Sequence, residues 1–558
     1  MVYRYAYLAW LRLRLRRFVA GARRARAIQH RELLEKVAHH AGSDFGRDYG
    51  FAEIRSLADF RRQVPVLTYD DHRPYIERVL RGDVEGLFTP GTRVLMFAMT
   101  SGTTGEPKRL PITTELFREY RTGWRIWGAG VFGDHRDLLH KKTLQLSSDW
   151  QQNLAPSGVP CGQISGLAAS TRPRLAQRVF LPPPVVSTIH NFTAKHYTTL
   201  RLALATDRLG MIITANPSTL VELARRANTE SESLIRDIHD GTLSCELPPK
   251  VRAALRKRIA RRNPRRAAEL ASIRERHGGL LPRHAWPRLS VLAVWMGGSV
   301  QVYLPQLREL YGPTAVRDHG LSASEGRMTI PLVDGSAAGL LDYCHHFFEF
   351  IPVEEHDSRQ PTVLEAHELE VGRDYFIVLT TSGGLYRYDI HDVVRCVGFE
   401  GQAPLIEFLN KGKNFSSLTG EKLSEHQAIR AVEQSFGELR VPLDTFTLAP
   451  MMDARPRYVL LVEPRVHRGR ACELAERVQK NLGRINEEYA SKCDSGRLLP
   501  VAVREVPLGT WDALRRDRTL ERGNFEEYKH PCLVSDLEFV RRLEELAPGN
   551  RAVAVAVS

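Results

Sequence analysis

The amino-acid sequence predicts an α/β protein of more than one domain, and three observations carry that expectation. Two apolar runs, Val94 to Met99 and Leu289 to Met296, have the length of buried strands and end in glycine and hydroxyl residues. Beyond a polar stretch from Phe408 to Asn414, helical and extended patterns alternate: Glu421 to Phe436 and Cys472 to Tyr489 read as helices, Arg457 to Glu463 and Val501 to Val506 as strands. The chain has 558 residues, too many for one core, and corresponds to about three or four domain-sized units.

Taken in order, residues 3 to 40 form one helical pattern ending near Gly42, with aromatic and leucine positions on one side and arginines on others. A basic amphipathic helix suits an anionic membrane surface, but packing on the large domain with a solvated arginine face is the preferred reading. Leu57 to Gly82 reads as a helix-and-turn entry to the core, and Val94 to Met99 follows as a strand. Pro111-Ile112-Thr113 leads into a helix from Thr114, with Trp124 and Trp127 in or after it. Residues 150–190, rich in Gly, Pro, Ser and Thr, read as loops and short elements, and Asn216-Pro217-Ser218 starts a further helix. Val251 to His277 is helical, broken at Asn263-Pro264; its many arginines lack interleaved aromatics, so a solvated basic face is preferred to a nucleic-acid groove. His345 to Pro352, Tyr375 to Thr380 and a hairpin through Ser382-Gly383-Gly384 into Tyr386 to Val394 read as an antiparallel subdomain.

Apolar, charged and aromatic fractions of 43%, 26% and 8% are those of a soluble globular chain and exclude wholesale disorder. The net charge of +14 raises nucleic acid, anionic lipid or an anionic ligand as partners, and its sign alone does not choose among them. Seven cysteines without a C-x-x-C pair suggest neither a zinc site nor a disulfide framework, which fits a reducing cytoplasm. No apolar run reaches membrane-spanning length, and arginines inside Tyr3 to Phe18 are unlike a secretory leader.

The chemistry concentrates in Thr100-Ser101-Gly102-Thr103-Thr104-Gly105-Glu106-Pro107-Lys108, directly after the first strand. Glycines let backbone approach an anion, consecutive N–H groups form a concave nest, hydroxyls add donors, and Lys108 adds a mobile positive charge. It is not a Walker A loop, because no Gly-Lys-Ser/Thr occurs there. The order instead resembles the phosphate loop of acyl-adenylate-forming enzymes.

Further segments agree in order. Ser322-Ala323-Ser324-Glu325, Tyr386 to Asp392, Gly420 to Glu425 and Tyr528-Lys529-His530-Pro531 resemble motifs of the auxin-responsive acyl-acid amido synthetases (the Gretchen Hagen three family), in their bacterial form. The resemblance implies a large, multi-subdomain adenylate-forming N-terminal domain of β-sheets flanked by helices, residues 1–409. A small mobile α/β C-terminal domain, 410–558, would follow a hinge near 410–414. It implies ATP-dependent adenylation of a small carboxylic acid, then amide formation with an amino acid or other amine. An acyl-CoA ligase sharing the first step and a degenerate nucleotide-binding member are the alternatives.

The same resemblance assigns roles. Thr100, Ser101, Gly102, Thr103 and Thr104 cradle the β- and γ-phosphates with Lys108 as added cation, and Glu325 holds Mg²⁺. Gly297, Gly298 and Ser299 pack backbone against adenine, as do Leu321, Ser322, Ala323 and Ser324, with Leu321 standing where the family has an aromatic. Asp392 binds ribose, with Asp389 as a neighbouring alternative and His391 in place of the family's glycine. Lys411 sits at the hinge in place of arginine, and Lys529 approaches the reacting acyl phosphate when the small domain closes. His319 and His391 are candidates for proton removal.

Overall fold

The structure is a computed structural model that describes residues 2–100, 108–298, 303–356, 358–412, 415–416, 418, 421, 423–452, 456–464, 469–494, 498–522, 528–546 and 555–557. The chain divides into two compact units. The first comprises Met1–Met296, Gln306–Ile390 and Val394–Phe408, and the second Gly297–Pro305, His391–Val393 and Leu409–Ser558.

Three sheets build the first unit. A parallel sheet runs in the order Phe180–Leu181, Lys142–Gln145, Leu209–Ile213, Val291–Ala293, Ala315–Arg317. Its strands are short, and the central Leu209–Ile213 and Val291–Ala293 are buried throughout, as expected where helices cover both faces. The second sheet places Val94–Thr100 between the antiparallel Lys108–Thr113 and the parallel Pro160–Gly162. Thr100 pairs with Lys108, so the strands on either side of the glycine-rich stretch run antiparallel. Lys108–Thr113 is the sheet's edge, where Pro111 costs no ladder bond, and Thr113 then caps helix Thr114–Asp134 by accepting the Leu116 N–H at 3.1 Å.

The third sheet has seven strands and contains Phe347–Pro352, Asp374–Thr381 and the long Leu385–Glu400. Its side chains feed the largest core together with Phe45, Phe60, Phe97 and Tyr386. Inside it Glu349 is buried, and Arg387 donates to it at 2.8 and 3.3 Å while Arg61 donates at 2.8 Å.

The N-terminal helical pattern is Val2–Gly21, a short 3-10 turn, and Ala25–His39. Glycine is needed at the interruption: a Cβ at Gly21 would lie 2.7 Å from the Tyr343 hydroxyl, which donates to the Phe18 carbonyl. Leu8, Leu11, Phe18, Ala22 and Ala25 are buried, so the inner face packs on the first unit as expected. Of the arginines near 251–277, Arg266 departs from a solvated face: it is buried and donates to the Leu204 and Ala285 carbonyls.

The second unit is a sheet of Phe446–Met452, Pro456–Val462, Ala502–Glu505 and Val555–Val557 with helices on both faces. Strand alternation sorts its residues: Tyr458, Leu460 and Val462 join one core with helices Glu425–Glu438 and Ala471–Ile485. Val459 and Leu461 join the other with Trp511 and Phe539. Cys472 to Tyr489, expected as one helix, breaks at Asn486, whose Oδ1 accepts the Tyr489 N–H at 2.8 Å and starts Glu487–Asp494. The edge strand Phe446–Met452, hidden in the sequence by Pro450, completes the sheet.

One buried imidazole ties the first unit's elements. His72 Nδ1 lies 2.9 Å from the Thr68 carbonyl and Nε2 accepts the Tyr386 N–H at 3.1 Å, which only the neutral ring satisfies. Burial pushes its pKa from 6.5 down to about 4. Below 6.5 the unfolded chain takes up a proton here that the native chain refuses, so stability falls as pH drops through that window. The slope is up to about 1.4 kcal/mol per pH unit for this residue. Urea unfolding near neutrality and near pH 5 should therefore show a shallower acid loss for His72→Gln than for the unmodified chain; equal slopes contradict the assignment.

Candidate active site

The C-terminal ends of two parallel strands, Val291–Ala293 and Ala315–Arg317, carry the candidate nucleotide residues of the first unit. Parallel strands end here with unpaired backbone groups, and Asp318 answers them. Its carboxylate accepts the Met296 and Gly320 N–H groups, both at 2.5 Å, and burial pushes its pKa up to about 7. Trp127 Nε1 donates to the Asp318 carbonyl at 2.7 Å, which fastens helix Thr114–Asp134 to the same point.

Beyond it, Ser322 bridges Arg327, and Ala323 and Gly326 exchange hydrogen bonds of 3.0 and 3.2 Å. Ser324 and Glu325 are therefore the two central residues of a tight turn, in place of the helix cap that such a tripeptide more often marks. Leu321 is buried, and its N–H reaches the Thr329 hydroxyl at 2.8 Å. Glu325 is also buried, and its charge adds to the burial that raises the Tyr120 phenol pKa.

Arg327 locks this turn from behind. Its guanidinium donates to the His319 carbonyl at 2.5 Å and lies 4.8 Å over the Trp124 ring, and burial lowers its pKa to about 10. A Cβ at Gly123 would sit 2.5 Å from its Cδ, so helix Thr114–Asp134 needs glycine at that approach. His319 packs edge-on to Trp124, and its Nε2 bonds the Ala293 carbonyl at 2.8 Å while burial lowers its pKa to about 4. It thus holds a strand end through Nε2.

Lys108 is not mobile. Its Nζ donates to the Tyr388 hydroxyl at 3.2 Å and lies 5.0 and 5.8 Å from the Tyr69 and Tyr388 ring centres. Tyr69 is fixed in turn, its hydroxyl accepting the Arg109 N–H at 3.2 Å. Thr100 ends its strand, while Ser101, Gly102, Thr103 and Thr104 lie outside the described residues, as does Ser299.

The second unit holds the remaining candidates. Gly298 has a φ of +63°, the left-handed region that favours glycine. His391 has a φ of +58°, which explains the glycine that the family resemblance expects there, and its carbonyl accepts the Gly412 N–H at 2.7 Å. Asp392 is buried. Asp389, in the first unit, instead bonds His356 at 2.6 Å. Lys411 ends strand Ala403–Lys411. Lys529 is exposed between two buried neighbours, Tyr528 and His530. His530 bonds Thr447 and the Phe446 carbonyl at 3.0 Å, and Glu425 accepts the Cys532 and Leu533 N–H groups at 2.7 and 3.3 Å.

Sequence reasoning missed Asp318, Arg327, Tyr69 and Tyr388 as site residues. Asp318 and Arg327 flank the quoted Ser322-to-Glu325 motif, and a charged residue beside a glycine turn at a strand end was the available signal. Tyr388 lay inside a quoted motif without a role.

Sheets flanked by helices, with these turns at parallel strand ends, make a mixed α/β fold. The same fold occurs in the solved "AtGH3.15 acyl acid amido synthetase in complex with 2,4-DB", with TM-score 0.84 and 20% identity over 99% of this chain and 97% of that one. The GH3 family N-terminal domain matches residues 14–316, the GH3 family central domain 339–411 and the GH3 family C-terminal domain 426–538. The chain belongs to the GH3 family. It is 26% identical to the indole-3-acetic acid-amido synthetase GH3.8 of Oryza sativa subsp. indica, over 93% of this chain and 90% of that protein. It is 25% identical to the jasmonoyl–L-amino acid synthetase JAR4 of Nicotiana attenuata, over 78% of each.

Tyr388→Phe removes the hydrogen bond that aims Lys108 and leaves the ring. The expected outcome is about a tenfold fall in kcat/KM for ATP with an unchanged near-ultraviolet circular dichroism spectrum. Steady-state adenylation kinetics that match the unmodified enzyme exclude Lys108 from the site.

Proposed function

We propose that this ligase, which adenylates a small carboxylic acid and then forms an amide, takes an amino acid as acceptor and ATP with Mg²⁺ as nucleotide. The observation that carries the reading is the Ala323-to-Gly326 turn, which holds the Glu325 carboxylate buried beside the ends of the parallel strands. A single buried carboxylate near hydroxyl-bearing turns suits a Mg²⁺–nucleotide complex, in which phosphates and water supply most of the ligands. When bound, the ion would neutralise phosphate charge.

The chain's own residues do the rest. Thr100 to Thr104 donate hydrogen bonds to the β- and γ-phosphates, and Lys108, aimed by Tyr388, adds fixed charge. Gly297 to Ser299 and Leu321 to Ser324 receive adenine, Asp392 accepts from the ribose hydroxyls, and the acid lies toward Trp124 and Trp127. Lys529 meets charge developing on the α-phosphate and acyl oxygens when residues 410–558 move about a hinge at 410–414. The adenylate supplies the leaving group, so no side-chain nucleophile is needed, and the incoming amine releases AMP.

In this reading the protein is a bacterial form of the family working in the cytoplasm. Its small-molecule partners are the acid, ATP and the amine.

A hydroxylamine-trapped adenylation screen across aromatic, fatty and keto acids, followed by amine acceptors and CoA, tests the assignment. AMP release driven by CoA and by no amine overturns amide formation. ATP binding without exchange on any acid overturns catalysis. Glu325→Ala and Asp392→Ala should each lower ATP–pyrophosphate exchange by on the order of 10²-fold, and unchanged exchange removes either from the site. Lys529→Ala should slow single-turnover adenylate formation with little change in the unfolding midpoint; unaltered single-turnover kinetics contradict its role.

A further inference from the structure

Residues 1 to 31 contain nine arginines and no acidic residue. Helix Val2–Gly21 spends one face on the first unit through Leu8, Leu11 and Phe18, and Arg12 donates to the Gly133 carbonyl at 3.1 Å. An adjoining face presents large apolar side chains to solvent: Tyr7 at 54%, Trp10 at 40% and Leu13 at 47% exposure. At 100° per residue these three fall within one third of the helix circumference, and Arg14 and Arg17 fall within the same arc. Arg16, Arg23, Arg24 and Arg26 are exposed farther along the N-terminal segment. Among the described residues no carboxylate pairs with Arg14, Arg16, Arg17, Arg23 or Arg24.

We propose that this outer face is a docking surface for an anionic lipid bilayer, with Tyr7, Trp10 and Leu13 entering the interface and the arginines meeting lipid phosphates. Charge complementarity chooses the occupant. An uninterrupted basic tract beside an apolar stripe matches a surface that is apolar below and negative above, and each arginine near such a surface adds attraction. Trp and Tyr are the side chains that settle at headgroup depth. Nucleic acid would stack bases on exposed aromatic faces. Here Tyr7 and Trp10 stack on each other at 5.7 Å, and the Arg14 guanidinium covers Trp10 at 4.3 Å, so those faces are taken. Among the described residues no helix is long and apolar enough to cross a membrane, so the helix lies on the surface.

The inference is independent of the adenylation chemistry, since none of these side chains is assigned to the site. Full-length protein is sedimented with phosphatidylcholine vesicles and with vesicles that also contain about 30 mol% phosphatidylglycerol. The expected result is binding about tenfold tighter to the anionic vesicles, weakened by salt. It is largely lost in the Tyr7→Ser/Trp10→Ser/Leu13→Ser protein, whose basal exchange activity without vesicles stays unchanged. Brominated lipid should quench tryptophan fluorescence in the unmodified protein and not in Trp10→Phe. No sedimentation at low salt, full retention in the triple variant, quenching that survives Trp10→Phe, or tighter binding to RNA than to vesicles each overturns the proposal.

Discussion

The first unit's candidate site depends on one buried carboxylate. Asp318 sits where parallel strands stop, and it alone accepts both the Met296 N–H that leads into the first glycine turn and the Gly320 N–H that leads into the second. Without such an acceptor, two backbone donors would be stranded in a buried place, at a cost of about 1–3 kcal/mol each. Arg327 completes the frame by bonding the His319 carbonyl while its flat guanidinium covers Trp124. The turn that carries Glu325 is therefore fixed by groups that never need to touch substrate.

A second constraint acts along strand Leu385–Glu400. Arg387 and His391 both have positive φ, at 44° and 58°, which costs of order 1–3 kcal/mol per residue without glycine. At Arg387 the cost is met by the buried ion pair with Glu349 and by donation to the Val64 carbonyl at 2.7 Å. Each departure interrupts the two-residue alternation of a strand, so the side chains between them need not keep the regular in-and-out order. Tyr388, buried in the same core as Tyr386, reaches Lys108 with its hydroxyl.

The α/β class and most elements of the C-terminal unit were legible because apolar periodicity reports burial directly: Arg457 to Glu463 and Val501 to Val506 match strands Pro456–Val462 and Ala502–Glu505. What could not be read is what depends on distant partners. Thr100 pairs with Lys108, a register that no local pattern encodes. The close approach at Gly21 is made by Tyr343, more than 300 residues away in sequence. His319 looked like a base because a histidine in a glycine-rich motif often is one; only its burial against the Ala293 carbonyl gives it a structural task. The glycine-to-histidine departure at 391 was visible as an anomaly, and the backbone angle supplies its meaning.

Lys529 shows how a charge on an exposed loop can be held in one place. Its neighbours are sunk into the second unit: Tyr528 and His530 are buried, Thr447 donates to the Pro531 carbonyl at 2.8 Å, and Glu425 clamps the next two amides. Strand Phe446–Met452 extends the same hold, because the Leu448 N–H reaches the Cys532 carbonyl at 2.8 Å. The backbone at Lys529 thus has little freedom within its own unit, and the ammonium can be carried only where the unit as a whole is carried. A flexible segment would keep the conformational entropy that these residues have already lost on folding. Tyr528, His530 and Glu425 therefore fix the position of Lys529 within the second unit.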